Sequence, residues 1–194
     1  NLMASETTFR LGMVAESVIV LIEIVVSAIL YALFRSVSRP LSLAAAFARF
    51  AQAILQAVNL FTAVPALLLL GGVGYLTVFE PDQLNALVLL FLDTNAFVII
   101  IWGLLFGFHL LLLGYLVYKS GFLPRILGIL LIIGGVGYLA QSYGHILVPQ
   151  YDEILSTVVL VLSIPGELAF TVWLLWKGVD VERWEQRALE PATV

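Results

Sequence analysis

Long, almost wholly apolar runs recur five times along this 194-residue chain, and no other feature constrains its fold as tightly. A helix needs about 20 consecutive apolar residues to cross a bilayer. The runs place membrane helices near 9–34, 41–70, 84–118, 123–140 and 153–176. Hydrophobic residues make up 62% of the chain and charged ones 11%; soluble domains are nearer about half and about a quarter. A soluble chain of this size could not hide that much apolar surface, whereas a bilayer favours outward Leu, Val and Ile. The expected fold is therefore all-α, an integral membrane helical bundle over 1–178 with a charged tail at 179–194. Lipid is its expected surrounding. The net charge of −4 leaves no basic footprint for nucleic acid. With no cysteine, disulfides, thiolate metal sites and Cys nucleophiles are excluded.

Punctuation sharpens the boundaries. Arg35-Ser-Val-Ser-Arg39-Pro40 closes the first helix, and Pro40 suits the start of the second. Pro65 predicts a kink in that helix, and the Gly71 to Asp82 stretch reads as loop. The run from Leu84 to Tyr118 is too long for one upright span. It is either one tilted helix or a span preceded by a break near Asp93-Thr94-Asn95. Gln141 to Asp152 reads as a polar loop, and Pro165-Gly166 as a break in the fifth helix. The first residue is not Met and no signal-peptide pattern follows, so Asn1 reads as an internal position of a longer product or a trimmed end.

Arg35, Arg39, Lys119, Arg125, Lys177, Arg183 and Arg187 fall in alternate connections and the tail, while the intervening loops contain no Lys or Arg, only Glu80, Asp82, His145, Asp152 and Glu153 as charge-bearing residues. By the positive-inside rule those basic segments are cytoplasmic and residue 1 lies outside, with Arg10 the exception at the outer mouth. The expected location is the bacterial inner membrane.

Ionisable residues inside a span cost roughly 2.5–3.5 kcal/mol each, and here they line up at helical spacing. Glu16, Glu23 and Ser27 share a face of the first helix. Ser42, Arg49, Gln52, Gln56 and Asn59 share one of the second; Asn95, Trp102 and His109 one of the third; Ser156, Ser163, Glu167 and Thr171 one of the fifth. Glu23, Gln56, His109 and Glu167 are expected near mid-membrane, Glu16 towards the outer mouth and Arg49 towards the cytoplasm. Three Glu against one Arg and one His leave charge unbalanced unless a Glu is protonated or a cation or ligand compensates. Glu16, Glu23, Arg49, Gln52, Gln56, Asn59, Asn95, His109 and Glu167 are thus the candidate polar-core residues. Packing glue or a structural ion pair explains such stripes as readily as function. Gly103, Gly107 and the glycines at 128, 134, 135 and 137 read as close-packing positions, since no strand or phosphate-loop Lys-Ser/Thr accompanies them.

His109 to Gly128, Gly134-Gly-Val-Gly-Tyr138, Pro165 to Gly178 and the Ser5-Glu-Thr-Thr-Phe-Arg-Leu-Gly12 opening resemble the bacterial multi-pass family catalogued as domain of unknown function 4386. The resemblance covers nearly the whole chain. It implies a further membrane helix and an extracytoplasmic loop before Asn1, six helices in all. It also implies that Lys119-Ser-Gly-Phe-Leu-Pro-Arg125 is a tight cytoplasmic turn, and it carries no activity. Three functions compete: a small transporter or ligand-binding protein with a protonatable core, a membrane-embedded enzyme acting on a lipid, and an accessory subunit of a larger complex or a homo-oligomer. The chain has no His-Glu-x-x-His and no Gly-x-Ser-x-Gly. No catalytic residue, metal site or cofactor is assigned.

Overall fold

The computed structural model describes residues 2–70 and 74–189. Six α-helices follow one another: α1 (Leu2–Phe34), α2 (Arg39–Leu70), α3 (Pro81–Ser120), α4 (Arg125–Leu147), α5 (Asp152–Trp176) and α6 (Val181–Leu189). Short 3-10 turns at Gly74–Val78 and Pro149–Tyr151 join α2 to α3 and α4 to α5. The first five helices are long and apolar enough to cross a membrane. The protein is an all-α membrane bundle.

Hydropathy alone cannot end a helix inside lipid, because every backbone group freed there lacks water. The stops are accordingly made by local chemistry. Pro81 opens α3 one residue after Glu80, whose N–H donates to the Gln83 side-chain oxygen at 3.0 Å. Gly121, at φ 77°, closes it. The Asp93-Thr94-Asn95 segment does not break α3. Its 40 residues form one helix about 60 Å long, twice the hydrocarbon thickness of about 30 Å. Within the helix the Thr94 hydroxyl is satisfied by donating to the Leu90 carbonyl at 2.8 Å.

Two further expectations are corrected. α4 runs past Ala140 to Leu147, because the polar residues there are satisfied within the bundle rather than by water. Gln141 donates to Ser156 Oγ (3.0 Å), Ser142 to the Ile100 carbonyl (2.9 Å), and His145 Nδ1 pairs with Asp152 at 2.8 Å. α5 is likewise continuous through Pro165 and Gly166. A Cβ on Gly166 would lie 2.8 Å from the Leu130 carbonyl oxygen, so this glycine serves close approach to α4 and not a break. α2 also continues past Pro65.

The helices pack in sequence order, α1 on α2, α2 on α3, α3 on α4 and α4 on α5. Glycines set the α3–α4 contact: a Cβ on Gly107 would fall 2.9 Å from the Gly135 carbonyl oxygen, and one on Gly128 2.5 Å from that of Gly114. Backbones meet directly there, as small residues allow in membranes. The apolar core, including Phe34, Leu116, Val117, Phe122 and Leu131, fills the end where α1, the α3–α4 turn and α6 converge. Outward residues such as Leu21, Val25, Phe47 and Leu168 remain exposed, as a lipid-facing surface requires.

α6 lies across that end of the bundle. Trp184 Nε1 donates to the Leu33 carbonyl at the close of α1 (3.0 Å), and Arg183 reaches the Gly121 carbonyl at 3.3 Å. The tail, the α1–α2 turn and the α3–α4 turn therefore share one end, and so do the seven cations of those segments.

Candidate functional site

Arg49 is the junction of the polar interior. It projects from α2 with its Nη2 3.8 Å from Glu23 Oε1 of α1 and its Nη1 3.4 Å from His109 Nε2 of α3. Its guanidinium lies over the Phe106 ring, 5.8 Å from the centroid. The long side chain thus brings the charge to the level of Glu23 and His109 rather than towards the basic end.

The partners are themselves held in place. Gln52, one helical turn after Arg49, is fully buried and donates its amide to both Glu23 oxygens at 3.0 Å. His109 Nδ1 lies 2.8 Å from the Ala45 carbonyl. A carbonyl only accepts and a guanidinium only donates, so the proton sits on Nδ1 and Nε2 faces Arg49 as the acceptor. That geometry makes His109 a neutral, positioned side chain.

Glu167 approaches from α5. Tyr138 of α4 and Ser163, one turn earlier on α5, lie against its carboxyl group. Glu167 and Arg49 line one cavity of about 330 Å³, whose other walls are apolar except for Thr171 and include Leu30, Phe106, Leu110, Leu131 and Phe170. Glu167 Oε1, Arg49 Nε and Gln52 Oε1 are buried without a hydrogen-bond partner in the protein. A cation, a carboxylate and open donor and acceptor positions therefore meet in a largely greasy pocket.

The nine candidate residues separate into groups. Gln52, Glu23, Arg49 and His109 form a chain of contacts in that order, and Glu167 faces Arg49 across the cavity. Gln56 lies beyond, accepting from Trp102 Nε1 at 3.3 Å. Asn59 and Asn95 form a second cluster, in which Asn95 donates to Asn59 Oδ1 and to Thr62 Oγ1, both at 3.0 Å. Glu16 is exposed and joins neither; with Thr62 and Asn95 it lines a separate cavity of about 190 Å³ away from the basic end. Sequence reasoning passed over Tyr138, Phe106 and Thr62. Thr62 could have been found, being three residues beyond Asn59 on the same face. Tyr138 sits in a glycine-rich run with no polar stripe to mark it. Among the described residues no three His, Asp or Glu converge as a metal would require.

A family model described as Domain of unknown function (DUF4386) matches residues 1–178. A 77-residue stretch is 38% identical to an uncharacterized protein of Archaeoglobus fulgidus, a match covering 38% of this chain and 41% of that relative. The chain thus spans less than half the length of the curated relative it matches. No solved structure matches it. The chain belongs to the DUF4386 family.

Proposed function

We propose that this member of the DUF4386 family is a ligand-binding membrane protein that holds a small amphiphile inside the bilayer, with Arg49 and Glu167 gripping its polar head. The observation that supports this is the 330 Å³ cavity, where one Arg and one Glu face each other's space in a wall that is apolar apart from Thr171. Pockets for small molecules have this composition, mostly apolar with a few convergent polar groups. Glu167 Oε1 offers an acceptor and Arg49 Nε a donor, so the head should carry both, as an alcohol, amide or amino acid group does. Thr171 and Leu175, exposed on α5, mark the cavity's edge on the outer surface of the bundle, so an amphiphile enters sideways from lipid.

Orientation follows from charge. Seven of the nine Lys and Arg lie at the α6 end, which by the positive-inside rule faces the cytoplasm of the plasma membrane, with residue 1 outside. Transport is the extension of the ligand-binding reading. It no longer draws on a broken α5, and rests on access to the cavity from lipid alone.

The test is native mass spectrometry of full-length protein gently extracted from its own membrane. The expected result is a bound small molecule that is lost in E167Q, which keeps the shape of the side chain, and in L174W, which fills the cavity. An empty wild-type protein, or a ligand retained in both variants, overturns the reading. A stable second polypeptide in place of a ligand supports the subunit reading instead.

A further inference from the structure

A second cavity, about 570 Å³, lies at the basic end where the start of α2, the last turns of α3 and α6 meet. Its wall sets Lys119 and Arg187 beside Ser38 and Tyr115, with Val37 and Leu41 supplying apolar surface. Among the described residues no Asp or Glu lines it. The two cations come from different helices and are held there. Lys119 Nζ sits over the Tyr115 ring, 6.0 Å from its centroid. α6, which carries Arg187, is pinned by the Trp184 bond to Leu33 and by the Asp180 N–H donated to the Phe122 carbonyl at 3.2 Å. A concave wall of one sign focuses the field and draws in the opposite charge. Two converging cations with a hydroxyl between helices form a phosphate-binding set.

We propose that this groove binds the headgroup of an anionic phospholipid, its phosphate against Lys119, Arg187 and Ser38. The glycerol and first acyl carbons lie along Leu41 and Tyr115. Charge complementarity selects this occupant: the groove stands at the headgroup level of the most basic end of the protein, where juxtamembrane cations meet anionic lipid. It shares no residue with the Arg49–Glu167 cavity, so either proposal can fail alone.

The experiment uses the full chain, delipidated in neutral detergent and titrated with short-chain phosphatidylglycerol under native mass spectrometry, with short-chain phosphatidylcholine and inorganic phosphate as competitors. Phosphatidylglycerol should bind once and resist displacement by either competitor. K119Q/R187Q should weaken it about thirty-fold, the loss expected for two cations at the membrane surface. K119R/R187K should retain binding, and E167Q should leave it unchanged. R35Q/R125Q removes the same charge from exposed positions at the same end outside the groove. A loss there as large as in K119Q/R187Q would reduce the effect to general surface charge and overturn the site. Displacement by millimolar phosphate would make it a free-anion site and overturn the lipid assignment.

Discussion

Removing Arg49 should cost far more than removing Glu23, although the two are ion-pair partners. Their 3.8 Å separation gives an attraction of about 4 kcal/mol at an effective dielectric of about 20. Both side chains are largely buried, at 17% and 11% exposure, so solvent screens little of it. The asymmetry comes from their neighbours. Arg49 is the cation serving two carboxylates, Glu23 beside it and Glu167 across the cavity. R49M strands both, and breaking a buried pair from one side costs about 3–5 kcal/mol. E23Q leaves Arg49 facing Glu167. The new amide also still accepts from Gln52 and can donate to Gln52 Oε1, which now has no partner. The exchange of a charge-assisted for a neutral hydrogen bond is worth about 1 kcal/mol, and the attraction to Arg49 that E23Q gives up is offset by no longer burying the Glu23 charge, so E23Q should fall within about 1 kcal/mol of the parent. The assay is reversible unfolding in mixed micelles at rising SDS fraction, followed by tryptophan fluorescence. Trp102 is stacked on Phe106, the ring beneath Arg49, and reports on the cluster. If E23Q proved as damaging as R49M, or R49M cost less than about 1 kcal/mol, Arg49 would not be the junction described.

The glycine contacts make a paired prediction. G128A must push a Cβ against the Gly114 carbonyl and should lose about 1–3 kcal/mol in the same unfolding assay, whereas G12A, with nothing within 4 Å, should be neutral or gain about 0.5–1 kcal/mol. The Asn59–Thr62–Asn95 cluster should behave as glue: N95L should cost about 0.6–2 kcal/mol and leave any ligand of the Arg49 cavity bound, and ligand loss would tie the two clusters together. The cysteine-free chain allows a clean topology test. T77C should react with an impermeant maleimide on intact cells and R125C only after permeabilisation; the reverse pattern would invert the orientation.

The helices themselves were legible because apolar length and proline or glycine stops are local properties. The polar stripes were legible for the same reason, and part of them comes together: Gln52 reaches Glu23 directly, and His109 is linked to them through Arg49. What could not be read was where a polar residue finds its partner. Gln141, Ser142 and His145 look like loop because polar residues usually face water, yet their partners on α3 and α5 keep them helical. Pro165-Gly166 looks like a break because proline removes a helical hydrogen bond; in α5 the helix continues, and the glycine beside it is used for contact with Leu130. Glu16 has the same spacing as Glu23 and no comparable neighbours, since the facing residues depend on how far each helix extends.

α4 contributes least to the polar stripes and still decides the geometry of the site. Its Gly128 and Gly135 face α3, while Gly134 and Gly137 face α5, where a Cβ on Gly134 would come 3.0 Å from the Ser163 Cα. These glycines draw the two helices onto α4 until backbones nearly touch. Ser163 and Glu167 are one turn apart on α5, so the same contact that seats Ser163 also aims Glu167 past Tyr138 towards Arg49. α1 is tied to α2 instead, through Ser27 on the Ala46 carbonyl and Ser42 on the Tyr31 carbonyl, at 2.8 and 3.1 Å. The space between α1 and α5 is therefore set by two separate packing systems and closed by neither. A bulkier side chain at Gly134 would move Glu167 away from Arg49 without touching either residue. Loss of ligand in such a variant, with Arg49 and Glu167 both intact, would show that the spacing of the helices is as much a part of the site as its charges.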